Sequence, residues 1–188
     1  MWRGIIFHIL LSTLYRREIN EFGGIMQIKY RGGQKFEIKS KELEINLGQE
    51  VSINGFVFPG PGEYEKGGVI LNGITDGENT IYAMVVEDMK ICYLGRINHD
   101  LTEDELKQIG DVDILFTPLG EEGTADLKIA TKLISKIDPK MVVPMLYSDL
   151  TEFKKIENIS DEEIDILKIK KSELPEDERK IVVLRTTS

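Results

Sequence analysis

Residues 61–74 read PGEYEKGGVILNGI and combine a turn signal with the start of a strand. Pro59 and Pro61 cannot donate hydrogen bonds to a sheet, and the glycines beside them permit backbone dihedral angles that other residues avoid. The apolar run at residues 69–71 then predicts a strand directly after the turn. This stretch predicts that the first half of the chain is built from strands joined by tight connections.

The sequence on either side of this turn has the same character. Residues 35–39 and 43–46 alternate apolar and polar side chains, which is typical of half-buried strands. Asn54-Gly55 is a strong signal for a two-residue hairpin turn. Glu87-Asp88, between apolar runs at residues 80–86 and 89–94, indicates a second hairpin. The pattern predicts consecutive strands from Met26 to about Leu94.

The second half of the chain changes to alternating helices and strands. Thr102 and Glu105 form a capping box, which predicts a helix that ends before Gly110. Buried strands are predicted at residues 112–116 and 141–145, and closing strands at 164–169 and 180–184. A second helix, ended by Pro139, places its apolar residues on one stripe: Leu127, Ala130, Leu133, Ile134 and Ile137. A β-rich half followed by βαβα units predicts a layered α+β or α/β domain.

Composition narrows the possible functions. The 188 residues favour one domain, and a net charge of −9 makes this an acidic protein and argues against a nucleic-acid partner. Cys92, the single cysteine, excludes an internal disulfide and any cysteine-based structural zinc site. It lies in an apolar run, so we expect a buried, inert thiol, and a cytoplasmic location is consistent with the cysteine usage.

Residues 1–25 differ from the rest of the chain. Arg3 precedes an apolar run at residues 5–11, which is too short to span a bilayer and is followed by no small-residue cleavage site. Met26 directly precedes the first predicted strand. We therefore predict an upstream extension or flexible leader over residues 1–25, a domain over residues 26–188, and no stable membrane insertion. A helix lying on a membrane surface is the alternative for the leader.

Several segments resemble one branch of the metallo-β-lactamase superfamily, the small bacterial metal-dependent-hydrolase-like branch. Residues 61–74, CYLG at 92–95, HDLT at 99–102, GDVDIL at 110–115 and VVPM at 142–145 follow in that branch's order. The resemblance runs from about Met26 to Tyr147. It implies a metallo-β-lactamase-like αββα sandwich, trimmed in its first half.

The resemblance also shows which metal ligands are missing. Gly33 lies where the branch has a histidine, and the superfamily's His-x-His-x-Asp-His motif has no counterpart. Arg96 replaces a metal-bridging aspartate, and Leu146 replaces the last ligand histidine. A zinc site needs three or four ligands, whereas this chain has two histidines, His8 and His99. Zinc is expected for the family but is not supported by these residues, so we predict no metal and no other cofactor.

Two residues near the lost site leave alternatives open. Arg96 brings a permanent positive charge to the place of the lost dication, where it would pair with a carboxylate such as Asp126; the alternative is a solvated surface arginine. His99 is either a structural residue hydrogen-bonded near the helix start, or a binding or acid–base residue in a surviving pocket.

The sequence favours a binding protein over an enzyme. Glu63, Tyr64 and Tyr147 are candidates for lining a pocket, with loop anchoring as the alternative for Glu63 and Tyr64. We expect a degenerate, non-catalytic metallo-β-lactamase-fold protein that acts as a binding or interaction module, with a protein partner or a second copy of itself. The alternative is a hydrolase of the superfamily with an atypical metal site or one completed by another subunit.

Overall fold

The computed structural model describes residues 24–77, 79–159 and 162–187. Its first sheet contains six strands, and five of them come from the first half of the domain. These are β1 (Met26–Gly32), β2 (Lys35–Ser40), β3 (Leu43–Leu47), β4 (Ser52–Ile53), β5 (Phe56–Val57) and, from the second half, β13 (Leu167–Ile169). The strand order is β13-β1-β2-β3-β4-β5, with all neighbours antiparallel.

The second sheet has seven strands and mixed direction. It contains β6 (Gly62–Lys66), β7 (Val69–Asp76), β8 (Asn79–Val86), β9 (Met89–Tyr93), β10 (Ile114–Pro118), β11 (Met141–Met145) and β14 (Lys180–Ile181). The order is β14-β11-β10-β9-β8-β7-β6. Strands β6 to β9 form an antiparallel meander, and β9, β10, β11 and β14 are parallel. A short parallel pair joins β12 (Glu163–Ile164) to β15 (Val183–Leu184).

The helices lie in the second half, and two of them were predicted, the first from its capping box and the second from its apolar stripe and Pro139. They are α1 (Glu103–Ile109), α2 (Leu127–Ile137) and α3 (Thr151–Ile156), with a 3₁₀-helix at Lys171–Glu173. The predicted capping box is confirmed, because the Thr102 hydroxyl accepts a hydrogen bond from the Glu105 amide while the Glu105 carboxylate accepts one from the Thr102 amide. Helix α2 ends at Ile137, and its C-cap, Asp138, directly precedes Pro139.

Both predicted hairpin turns are confirmed by their backbone. Asn54 and Gly55 have φ angles of 48° and 76°, and Glu87 and Asp88 have φ angles of 49° and 61°. Two-residue turns whose central residues are both left-handed match the twist of the strands that they connect. Both turns are of this kind.

Two hydrophobic cores hold the layers together. The first lies between the sheets and includes Phe36, Tyr93 and Phe116; the second lies between the seven-stranded sheet and the helices. Strand β10 contributes to both, since Phe116 faces the first core and Leu115 the second, as expected for a parallel strand covered on both sides. Cys92 is fully buried in the second core, as predicted, and burial raises the pKa of its thiol.

The architecture is the metallo-β-lactamase-like sandwich that the sequence predicted, with a first half built of strands. The described residues before Glu103 contain strands and turns but no helix. The predicted strand at residues 164–169 is instead split between two sheets, because the chain turns around Asp165, whose carboxylate binds Arg185 at 2.6 Å. Helix α3 was not predicted.

Gly24, the first residue described, is hydrogen-bonded to the domain. The Gly24 amide donates a 3.0 Å hydrogen bond to Glu87 in the β8–β9 turn. The predicted leader lies almost entirely outside the described residues. No helix within the described ranges has the length and apolar character needed to cross a membrane.

Candidate functional site

A polar cleft of about 730 Å³ opens where loops from both sheets meet. Gln34 and Gln49 come from the β1–β2 and β3–β4 connections of the six-stranded sheet. The opposite wall belongs to the seven-stranded sheet and its loops, and consists of Asp76, Asn79, Arg96, Asn98 and Gly123. Of the positions to which the resemblance assigns metal ligands, Arg96 lines this cleft.

Tyr93, a residue that the sequence analysis did not single out, joins the two walls. It is buried at the end of β9, and its hydroxyl donates to the carbonyls of Gln34 at 3.0 Å and Gly48 at 3.1 Å. Burial raises the pKa of Tyr93 and keeps the hydroxyl protonated as a donor. This tyrosine positions Gln34 and the loop that carries Gln49.

Gly33 and Leu146, two positions where the branch has ligand histidines, are brought together. The Leu146 amide donates to the Gly33 carbonyl at 3.1 Å, and the Tyr30 hydroxyl donates to the same oxygen at 2.8 Å. Leu146 has a φ of 51° and is 2% exposed. A buried alkyl side chain and a glycine offer no metal ligand here.

Arg96 lies at the cleft with its guanidinium partly in solvent. Its Nη1 is 3.4 Å from Glu121 Oε1, its Nη2 donates to the Glu122 carbonyl at 2.9 Å, and 41% of the side chain is exposed. The Glu121 amide in turn donates to the Leu146 carbonyl at 3.0 Å. The chain of contacts from Gly33 through Leu146 and Glu121 to Arg96 links three of the predicted site positions.

The predicted pairing of Arg96 with Asp126 is wrong. Asp126 is exposed, and its Oδ1 accepts a 2.8 Å hydrogen bond from the Ile129 amide as the N-cap of α2. The free amides at a helix start compete strongly for such a carboxylate. The loop before α2 instead presents Glu121 to the guanidinium.

His99 is held by two acceptors, one of which, Asp76, lines the cleft. Its Nε2 is hydrogen-bonded to Oδ1 of Asp76, and its Nδ1 lies 2.9 Å from the Asp100 carbonyl. The Asp76 side chain is only 4% exposed, and Asn79 donates to its other oxygen at 3.3 Å. The hydrogen bond to the Asp100 carbonyl, together with the hydrogen bond and charge of Asp76, raises the pKa of His99 although partial burial opposes the shift.

The residues at this cleft do not fit a zinc ion. Within residues 24–77, 79–159 and 162–187, no three histidine, cysteine, aspartate or glutamate side chains are grouped so that they could hold a metal. Asp76 and His99 supply two candidate ligands, and each is already engaged with the other. Zinc requires three or four protein ligands, and a guanidinium at the same cleft repels a cation.

The three predicted pocket residues lie elsewhere. The Tyr64 hydroxyl is 3.1 Å from the Gly60 carbonyl and 3.2 Å from that of Pro61, contacts suited to anchoring the loop, and Glu63 is exposed on β6. Tyr147 lines a separate cleft of about 620 Å³ beside α3, and burial raises the pKa of its hydroxyl to about 12.

Two face-to-face sheets, helices packed on one outer face and a loop cleft joining both sheets define a metallo-β-lactamase-like sandwich. Residues 27–146 match the family described as Beta-lactamase superfamily domain. The chain therefore belongs to that family.

Known relatives and solved structures agree with this assignment. The UPF0173 protein PF0020 of Pyrococcus furiosus is 27% identical over 126 residues, covering 62% of this chain and 52% of the relative, so the chain spans about half the length of that protein. A Thermotoga maritima structure, described as a candidate zinc-dependent hydrolase of the metallo-β-lactamase superfamily, has a TM-score of 0.71 at 24% identity and covers 85% of this chain and 98% of its own.

A second solved structure is more distant in sequence. Igni18, a metallo hydrolase from Ignicoccus hospitalis, has a TM-score of 0.56 at 12% identity, covering 70% of this chain and 90% of its own. At these identities the two structures support the fold alone.

Proposed function

We propose that this protein is a non-catalytic member of its superfamily whose cleft binds a small polar ligand. The observation that carries the proposal is the exchange of side chains at three positions where the resemblance expects ligands: a guanidinium at the cleft, and a buried leucine and a glycine that contacts through Glu121 link to it. The single histidine of the described residues has both ring nitrogens engaged. Such a site has no free imidazole with which to accept a proton from water or to complete a metal.

The remaining side chains of the cleft favour binding. The side-chain amides of Gln34, Gln49 and Asn98 make no hydrogen bond to other described residues, although all three line the cleft. Each amide offers two donor hydrogens and an acceptor oxygen. With part of the Arg96 guanidinium also exposed, the cleft presents several polar groups from both sheets to one ligand.

The rival function is a hydrolase whose metal site is atypical or completed by another subunit. It is favoured by the carboxylate–imidazole pair of Asp76 and His99, since Asp76 lines the cleft. In that case Asp76 and His99 would have to separate and act as ligands or as an acid–base pair.

Two measurements on the full chain separate these functions. Hydrolysis of bis(p-nitrophenyl) phosphate and p-nitrophenyl acetate is assayed with added zinc or manganese, for the natural chain and for Asp76→Asn. We expect no turnover above the buffer rate in either protein. Metal-dependent turnover that disappears in Asp76→Asn would establish the hydrolase instead.

Binding is tested by two-dimensional NMR of side-chain amide signals during titration with a library of small polar compounds. We expect saturable shifts for Gln34, Gln49 and Asn98, with the amide of Gln108 on α1 as an internal control that does not move. Absence of any saturable shift in the three cleft amides would refute a ligand-binding cleft.

A further inference from the structure

We infer that His99 and Asp76, whose carboxylate lines the cleft, form a proton-binding site at which a protonated imidazole supplies the positive charge beside a carboxylate that is largely removed from water. This concerns the same cleft as the proposed function, but it requires no ligand. Two features of the structure support this site: the His99 ring lies between two acceptors, and the Asp76 carboxylate is buried.

Both ring nitrogens of His99 face groups that can only accept hydrogen bonds. The Asp100 carbonyl, 2.9 Å from Nδ1, has no hydrogen to donate. An ionised Asp76 carboxylate, which is bonded to Nε2, has none either. Hydrogen bonds at both positions require a hydrogen on each nitrogen, and an imidazole with two such hydrogens is the cation.

Asp76 needs this cation because its side chain is largely removed from water. It is 4% exposed at the end of β7, and the Asn79 amide that donates to it brings no charge. Removing a carboxylate from water without a positive partner is unfavourable. Arg96 shares the cleft, but its guanidinium is engaged with Glu121 and the Glu122 carbonyl.

The other charged groups around His99 favour the same state. From β7 it faces Asp76, and from α1 the negative charge of Glu105. Asp100 in its own loop is neutralised by two lysines of α2, Lys132 at 2.6 Å and Lys136 at 2.9 Å. The groups that act on the ring therefore stabilise the proton, in agreement with the raised pKa of His99.

The proton has a defined effect on stability. Because the pKa of His99 is higher in the folded chain than the ordinary value of about 6.5, its contribution is complete below about pH 6.5 and is lost as pH rises through the folded value. Above that value the imidazole is neutral and no longer provides a cationic partner for the Asp76 carboxylate. The loop that carries Arg96, Asn98 and His99 then loses its ionic contact with β7, so the wall of the cleft depends on pH.

An NMR titration of the histidine ring signals in the full chain tests this inference. The chain has only two histidines, His8 and His99, so the signal lost in His99→Gln identifies His99. We expect His99 to titrate above the ordinary value, and its pKa to fall in Asp76→Asn, which keeps the size of the partner but removes its charge. A His99 that titrates at or below about 6.5 overturns the inference.

Thermal unfolding provides a second measurement that does not depend on the folding of Asp76→Asn. Between about pH 6 and 9 the side chains with ordinary pKa values in range are the histidines and Cys92, and both His8 and Cys92 are common to the two proteins. We expect the melting temperature of the natural chain to fall relative to His99→Gln as pH rises. Parallel curves would contradict the inference. Since no ligand is added, failure here is distinguishable from failure to find a ligand for the cleft.

Discussion

At the scale of single residues, Arg96 makes a partly exposed ion pair with Glu121, and not the pair with Asp126 that was one of the two alternatives for it. Its ion pair with Glu121 joins side chains that are 41% and 46% exposed. Exposed pairs contribute roughly 0–1 kcal/mol. We therefore expect Arg96→Ala to lower the free energy of unfolding by no more than about 1 kcal/mol, as measured by urea denaturation at pH 7.

A double-mutant cycle checks that Arg96 and Asp126 act separately. Asp126→Ala removes the N-cap of α2 and should cost about 0.5–2 kcal/mol on its own. Its effect and that of Arg96→Ala should add to within about 0.5 kcal/mol. A coupling energy larger than this would mean that Arg96 and Asp126 interact after all.

The residues of the site were predictable only in part. Gly33, Arg96 and Leu146 follow from the order of the family segments, and contacts through Glu121 do link them. Asp76 and Glu121 could not be found in this way, because each is more than twenty residues in sequence from the side chain that it binds. Which carboxylate reaches a cation is decided by the path of the loops, and sequence alone does not fix that path.

At the scale of elements, the buried carboxylate of Asp113, directly before β10, binds β9 and two segments that follow α2. The Asp113 side chain is 7% exposed and accepts hydrogen bonds from the Lys90 amide at 2.8 Å and from Lys171 at 2.6 Å, with Lys140 at 3.6 Å. Burial opposes its ionisation, but these hydrogen bonds and lysine charges outweigh burial and lower the pKa of Asp113.

Asp113→Asn should accordingly destabilise the domain at pH 7 by about 1–3 kcal/mol, since hydrogen bonds to a charged group are lost. A lowered folded pKa gives stability that is present above about pH 4 and disappears as pH falls through the folded value. The difference in free energy of unfolding between the two proteins should therefore shrink when urea unfolding is measured at acidic pH.

Asp111→Asn, which removes a 90% exposed carboxylate two residues away, is the matched control and should have little effect. Equal losses for both variants would refute the role of Asp113.

The sequence predicted those elements whose signals are local. The capping box at Thr102 and the hairpin turns at Asn54 and Glu87 depend on neighbours within a few residues, and all three are confirmed. Residues 164–169 were predicted as one strand because their apolar residues are close in sequence. The first part pairs with β15 and the last part with β1, a division that only the tertiary arrangement produces.

At the scale of the whole molecule, the domain is expected to be independent of residues 1–25. Met26 is fully buried and pairs with Ile169, whereas Gly24 contributes one hydrogen bond to Glu87, which also binds Ser40 and Lys41. A chain that begins at Met26 should keep the melting temperature of the full chain to within a few degrees. A difference of that size is about what the loss of one hydrogen bond would cause.

A chain that begins at Ile28 is the matched control. It lacks the buried Met26 side chain and should be clearly less stable, by about 2–5 kcal/mol. If beginning at Met26 lowers stability as much as beginning at Ile28, the domain boundary lies earlier than predicted.

Zinc content tests most directly the claim that this superfamily fold has exchanged its metal ligands for other side chains. The purified full chain is equilibrated with excess zinc, dialysed against a weak chelator and measured by elemental analysis, beside His99→Gln and Asp76→Asn. We expect far less than one zinc per chain in all three proteins, because Asp76 and His99 offer only two candidate ligands and bind each other. One zinc per natural chain, lost in both variants, would contradict this expectation.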